Sequence, residues 1–262
     1  MLILERPWTR QPQTAGIGLS ALAISLGFDV FWSATRPRHS LLGPQMLSSP
    51  SGAVFTEGIG ISSGYAIVNG TVPSMHATTW TEVGVLHMDA TNTVVSLSAR
   101  TTGQACLFAP TGLVAVCWDV SSITIGGAIP VGTTKYVVRR LGSSHVFWRN
   151  GVQYGSNTDP SAPNAAAGFL PAIGAHAGTG TYTGVSPLAA TNGMLLVART
   201  PRAIPDALAA ALSANPWQLF APQQIIIPTP AAAGYTHPTL SLATATEIGA
   251  TSFKPRVTYT FA

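Results

Sequence analysis

Apolar and polar residues alternate with a period of two along most of the chain. The segments Leu26 to Trp32, Ala53 to Glu57, Thr79 to Met88, Thr93 to Ala99, Gln104 to Ala109, Leu113 to Val120, Thr134 to Leu141, Ser144 to Arg149, Val152 to Ser156, Gly168 to Ala175 and Gly193 to Arg199 are rich in Val, Ile, Thr and aromatic residues. Each is bounded by Gly, Pro, Asn or Ser. Such runs are half-buried strands, and eleven of them at short spacing predict an all-β sandwich or barrel. The sharpest connection is Asn150-Gly151, whose side-chain types suit the two positive-φ positions of a type I′ turn. A turn there pairs Arg149 with Val152 and sets Phe147 opposite Tyr154 on one face, with Trp148 on the other.

Only one segment has helical character. Ile204 to Ala214 carries Pro205 and Asp206 near its start, alanines through its middle and Asn215-Pro216 as a stop. Its apolar stripe of Ile204, Leu208 and Leu212 is narrow, which places it over a rim of the sandwich. Trp217, Leu219 and Phe220 follow as an anchoring cluster. A Pro- and Ala-rich linker then begins at residue 229, and two more strands are expected at Thr239 to Thr246 and Arg256 to Phe261. Near the start, Arg6 and Arg10 precede the interrupted apolar run Gly16 to Phe28, which reads as an arm and a first strand rather than a secretory signal. The expected organisation is an arm over residues 1–20, a sandwich over 21–228, and a linker with a β tail over 229–262.

Composition sharpens this picture. Of the 262 residues, 46% are hydrophobic and only 8% are Asp, Glu, Lys or Arg, far below the quarter or so of an ordinary soluble domain. Disorder is excluded, because a disordered chain is apolar-poor. The charge-free stretches Pro160 to Ala198 and Ala207 to Thr246 are broken by Pro, Gly and Thr, so neither forms a spanning helix and no membrane insertion is expected. Arg supplies eleven of the thirteen cations, the others being Lys135 and Lys254. Guanidinium tolerates desolvated contacts better than ammonium does, so the balance suits a component of an assembly. Arg139, Arg140 and Arg149 form a local cluster without the basic stripe that nucleic-acid binding needs.

The candidate chemistry is sparse. Six histidines stand apart, and the one ligand-like spacing is His87 with Asp89, so no metal and no cofactor is expected. Glycan hydrolysis needs two carboxylates facing a cleft, and Asp29, Glu82, Asp89 and Asp119 are the acids placed in or beside strands. Hydrogen-bonded or rim positions are the favoured reading of these acids. Phe147, Trp148 and Tyr154 are candidate ligand-contacting aromatics, with core packing as the competing reading. Cys106 and Cys117 flank one turn. An even loop sets them opposite each other, and a three-residue loop puts them on opposite faces.

The hairpin from Lys135 to Val152, with its aromatic strand ending in Asn150-Gly151, resembles the central hairpin of concanavalin A-like, laminin-G-like jelly rolls. The segments Glu5-Arg6-Pro7-Trp8-Thr9-Arg10-Gln11-Pro12 and Leu212-Ser213-Ala214-Asn215-Pro216-Trp217-Gln218-Leu219-Phe220 resemble the two ends of such proteins encoded by bacteriophages and prophages. The resemblance frames residues 5 to 220 and departs from the pattern before Arg199 and at the helix start. The calcium-holding acidic cluster of lectin members is absent.

What it implies is a non-enzymatic bacteriophage virion structural protein, made in the bacterial host cytoplasm. The expected role is a tail fibre or adsorption component facing a host surface glycan. The alternatives are a capsid decoration protein and, third, a carbohydrate-active enzyme. The expected partners are other virion proteins and further copies in a homo-oligomer, taken as a trimer. Arg6, Trp8 and Arg10 in the arm, and Phe253, Tyr259 and Phe261 in the tail, are the expected contact residues.

Overall fold

A computed structural model describes residues 2–12, 17–34, 47–48, 54–56, 60–63, 66–68, 72–88, 94–98, 105–108, 115–118, 122–160, 172–174, 176–177, 184–185 and 193–227. In chain order the strands are β1 (Leu2–Arg6), β2 (Val30–Ser33), β3 (Leu47–Ser48), β4 (Val54–Thr56), β5 (Gly60–Ser63), β6 (Ala66–Val68), β7 (Thr79–Met88), β8 (Val94–Ser98), β9 (Ala105–Phe108) and β10 (Ala115–Trp118). They continue with β11 (Ser122–Gly126), β12 (Gly132–Leu141), β13 (Ser144–Arg149), β14 (Val152–Thr158), β15 (Ala172–Ile173), β16 (His176–Ala177), β17 (Gly184–Val185), β18 (Gly193–Thr200) and β19 (Gln223–Ile227). Two helices, α1 (Ala21–Leu26) and α2 (Asp206–Ala214), accompany them.

Residues Pro7–Gln223 form one compact unit, an all-β jelly-roll sandwich. Its front sheet has the order β14-β13-β12-β7-β18-β5-β4, with β2 also paired to β18, and its back sheet the order β11-β10-β9-β8-β15-β6-β3. The second unit comprises Met1–Arg6 and Gln224–Ala262, within which β1 pairs with β19. Of the arm expected over residues 1–20, the described residues from Pro7 onward thus belong to the sandwich. The tail strands expected at 239–246 and 256–261 lie outside the described residues.

Strand alternation builds two cores on the front sheet. Trp80, Leu86, Tyr136, Val138, Phe147 and Val197 face inward, where Leu97, Ile125 and Ile173 of the back sheet meet them. Val83, Val85, Val137, Trp148, Leu196 and Ala198 face outward and are covered by Ala23 of α1, Ala209 and Leu212 of α2, and Trp217 and Phe220. The central strands β7, β12 and β18 are therefore buried on both faces. This explains why β7 is almost wholly buried while it still carries Thr81 and Glu82.

Several expectations need correction. The segment read as the start of a strand is α1, capped by the Ser20 hydroxyl, which accepts from the Ala23 amide at 3.2 Å, and closed by Gly27 at φ 62°. Ser and Gly bracketing a short run of Ala and Leu is a helix signature, but six residues are too few to show a helical period. Helix α2 lies across the outer face against β12 and β13 rather than over a rim. Arg139 fixes its start through Asp206 and the Ile204 carbonyl, while Lys135 Nζ donates to the Ala214 carbonyl at its end. A bulge moves Tyr154 out of the register expected for the hairpin, so that Phe147 pairs with Gly155. The turn itself is as expected, with Asn150 at φ 49° and Gly151 at φ 93°. The β9–β10 register sets Cys106 opposite Cys117, the even-loop alternative.

Candidate functional site

The two segments that frame the resemblance meet in the sandwich unit. Trp8 Nε1 donates to the Ala221 carbonyl at 2.8 Å, and Asn215 Nδ2 donates to the Trp8 carbonyl at 2.8 Å. Ser20 donates its amide to the Leu219 carbonyl, and Ala221 donates to the Gly18 carbonyl. The Trp8 ring packs on the outer core beside Ile17 and Leu19, and Phe220 sits edge-on to Phe31 at 5.6 Å. This is a clasp closing the outer face, and it gives Trp8 an internal role, whereas Arg6 and Arg10 are exposed. Trp8→Phe keeps most of the packing but removes the indole donor. The expected loss is about 1 kcal/mol of unfolding free energy, read as a lowered urea midpoint at unchanged slope.

The candidate ligand-contacting aromatics separate. Phe147 is fully buried in the inner core and Trp148 is buried in the outer core under Arg139, whose guanidinium carbon lies 4.9 Å from the ring centroid. Both are therefore corrected to packing residues. Tyr154 is 38% exposed, but Arg149 stacks on its ring at 3.7 Å, Phe147 meets it edge-on at 5.8 Å, and Gly126 and Gly127 lie close beneath. Of the three, only this corner of ring and guanidinium reaches solvent.

The acids also find internal partners. Glu82 is fully buried on the inner face, where Oε1 accepts from the Tyr136 hydroxyl at 2.9 Å and from Ser96 Oγ. Its Oε2 lies 3.4 Å from Arg199 Nη1. Arg199 is itself fully buried, stacks over Trp80 at 3.8 Å and reaches the Ser74 carbonyl at 3.5 Å. Burial pushes the Glu82 carboxyl up, against the opposing pull of Arg199 and the two hydroxyl donors. Every group facing this carboxyl is a donor, an environment suited to an ionised acceptor. Burial likewise pushes Asp29 up, although Ser74 donates to it through its amide at 2.7 Å and its hydroxyl at 2.8 Å.

Among the described residues, neither acid faces a second carboxylate in an exposed pair of the kind glycan hydrolysis uses. Asp89 and Asp119 lie outside the described residues, as do Phe253, Tyr259 and Phe261. His87 is exposed and sits 3.2 Å from Thr133 Oγ1. Among the described residues there is no cluster of three or more His, Cys, Asp or Glu side chains suited to a metal, and no helix long and apolar enough to cross a membrane.

Sequence reasoning missed the partner of Glu82. The signal was present as Arg199, a lone cation ending the apolar run Met194 to Ala198, but only the β7–β18 register, which sets Arg199 opposite Glu82, joins them.

The fold thus defines an all-β jelly-roll sandwich. No protein-family model matches the chain, and a comparison with curated proteins finds no match. Among solved structures, the chain is similar to Trypanosoma rangeli sialidase at a TM-score of 0.50 and 10% identity, over 79% of this chain and 36% of that one. Domain 4 of AbnA, a GH43 extracellular arabinanase from Geobacillus stearothermophilus in complex with arabinotriose, gives 0.49 at 14% identity, over 71% and 98%. The Ruminococcus gnavus IT-sialidase CBM40 bound to alpha2,6 sialyllactose gives 0.44 at 10%, over 54% and 85%. At such identities the likeness shows fold alone.

Proposed function

We propose that this chain is a non-enzymatic structural protein of a bacteriophage virion, a tail-fibre or adsorption component with capsid decoration as the alternative. The observation that carries the reading is the clasp: the two segments that resemble the ends of phage-encoded jelly rolls are hydrogen-bonded to each other through Trp8 and Asn215. Their joint presence then follows from the fold they close. The buried, donor-saturated Glu82 and the Ser74-bound Asp29 favour a packing role for these acids over a catalytic one.

Assembly with further copies and other virion proteins fits the 8% charge, because a surface poor in Lys and Glu suits permanent burial. A ribbon of two strands such as β1–β19 is marginal alone, so the second unit is the natural place for contacts between subunits, with Arg6, Phe253, Tyr259 and Phe261 as the residues involved. Contact with a host glycan falls to the exposed corner of Tyr154 and Arg149.

Antibody raised against the whole chain is the direct test. Applied to purified particles in the electron microscope, it is expected to label the tail for an adsorption component and the head for decoration. Particles that lack the chain, or that assemble, survive and adsorb normally without it, overturn the reading.

A further inference from the structure

Among the described residues, five Asp, Glu, His, Lys or Arg side chains are at most 2% exposed: Glu82, Arg140, His145, Asp159 and Arg199. Register and pleat place four of them on the inner face of the front sheet. Arg140 is directly across from both Trp80 and His145, and Glu82 is across from Arg199. Asp159 closes the same end, its amide donating to the Ser143 carbonyl at 2.8 Å. Within this set two guanidinium groups and two carboxylates balance while the imidazole is neutral; Asp29, only partly buried and held by Ser74, faces Arg199 from outside it.

The surroundings of His145 leave little room for a second charge state. Its Nδ1 lies 3.3 Å from the Ser143 carbonyl, and its ring meets Trp80 edge-on at 6.3 Å, the same indole whose face Arg199 covers. The charged groups around it are Arg140 from β12, Asp159 from the segment after β14, and Arg199 from β18. Burial and then Arg140 lower its pKa to about 4, with Arg199 adding to them and Ser143 and Asp159 opposing.

We propose that His145 is a proton-sensitive latch: neutral, it completes a charge-balanced interior, and a proton taken up there leaves an uncompensated buried cation that opens the β12–β13 end of the sandwich. The sign follows from linkage. A histidine whose folded pKa is depressed leaves stability intact above its unfolded pKa near 6.5, and drains it as pH falls from there toward 4. By pH 4 the folded-to-unfolded ratio has dropped by roughly 100-fold from this group, and the full drop of about 300-fold is reached only well below that pH. Glu82, pushed up by burial, works in the opposite sense, so comparison between variants isolates the latch.

The experiment uses the full chain. Thermal melts and near-ultraviolet circular dichroism between pH 8 and 4 are compared for wild type and His145→Gln, and histidine-ring NMR follows His145 itself in the wild type. The expected result is an acid loss of folded signal that is markedly smaller in the variant, with a His145 ring still neutral at pH 5. Should His145→Gln fail to fold, Arg140→Gln replaces it, and relief of the neighbouring cation is expected to move the acid midpoint to lower pH. A ring that titrates near 6.5 in the native protein, or acid curves that superimpose for wild type and variant, overturn the latch.

Discussion

Arg199→Met is expected to destabilise the sandwich by about 3–5 kcal/mol, the range for breaking a buried ion pair by removing one partner. The guanidinium does three things at once: it faces Glu82, covers the Trp80 ring and reaches the Ser74 carbonyl. Methionine fills much of the volume but leaves Glu82 in an apolar interior with only the Tyr136 and Ser96 hydroxyls as donors. The loss then acquires a pH dependence of known sign. A carboxyl whose folded pKa stands above its unfolded value contributes stability below the unfolded pKa and loses it as pH rises through the folded one. Burial already pushes Glu82 up, and removing its cation pushes it further. The stability of Arg199→Met should therefore recover from pH 8 toward acid relative to wild type, as read by denaturation at each pH. Adding Glu82→Leu to Arg199→Met should recover most of the loss, because an apolar pair leaves no stranded charge. A single variant as stable as wild type at pH 8 contradicts the buried pair.

That pair also marks where sequence reading stops. Strands β7 and β13 were legible to the residue, because Thr79 to Met88 and Ser144 to Arg149 have the right residue types between clear stops. Short strands such as β3 and β6 have no such signal, since two or three residues cannot display a period and take their conformation from their neighbours. The bulge in β14 shifted the register at Tyr154 but not its face, since its ring still meets Phe147, whereas the bulge in β18 sets two successive residues, Leu195 and Leu196, on the outer face. The candidate site was half legible. Glu82 stood out as an acid within a strand, but its partners Ser96, Tyr136 and Arg199 come from three other strands that only the sheet order brings together. Likewise Trp8 read as a subunit-contact residue within an N-terminal arm, and only the path of the chain after α2 brings the Ala221 carbonyl to its indole.

Gly84→Ala is the second large effect expected, and it tests the same interior from the backbone side. Gly84 lies opposite Tyr136 in the β7–β12 register, and a Cβ built on it falls 2.2 Å from Tyr136 Cζ and 2.3 Å from its hydroxyl oxygen. The phenol therefore lies flat over the strand at that point, and this is how its hydroxyl reaches Glu82 one inward position along. Tyr136 is fully buried, so the ring has no open space to swing into. Alanine forces it off the strand, adding about 1–3 kcal/mol of overpacking to the roughly 1.5–3 kcal/mol of a lost hydrogen bond to a charged group. Tyr136→Phe removes only the second contribution, and its smaller loss separates the two. In the double variant Gly84→Ala/Tyr136→Leu the clash is gone, so the two substitutions should cost less together than the sum of their separate losses, by about 1–3 kcal/mol. Strict additivity, or a Gly84→Ala protein within about 0.5 kcal/mol of wild type, would mean that the ring does not lie over this glycine and that Glu82 is held by other means.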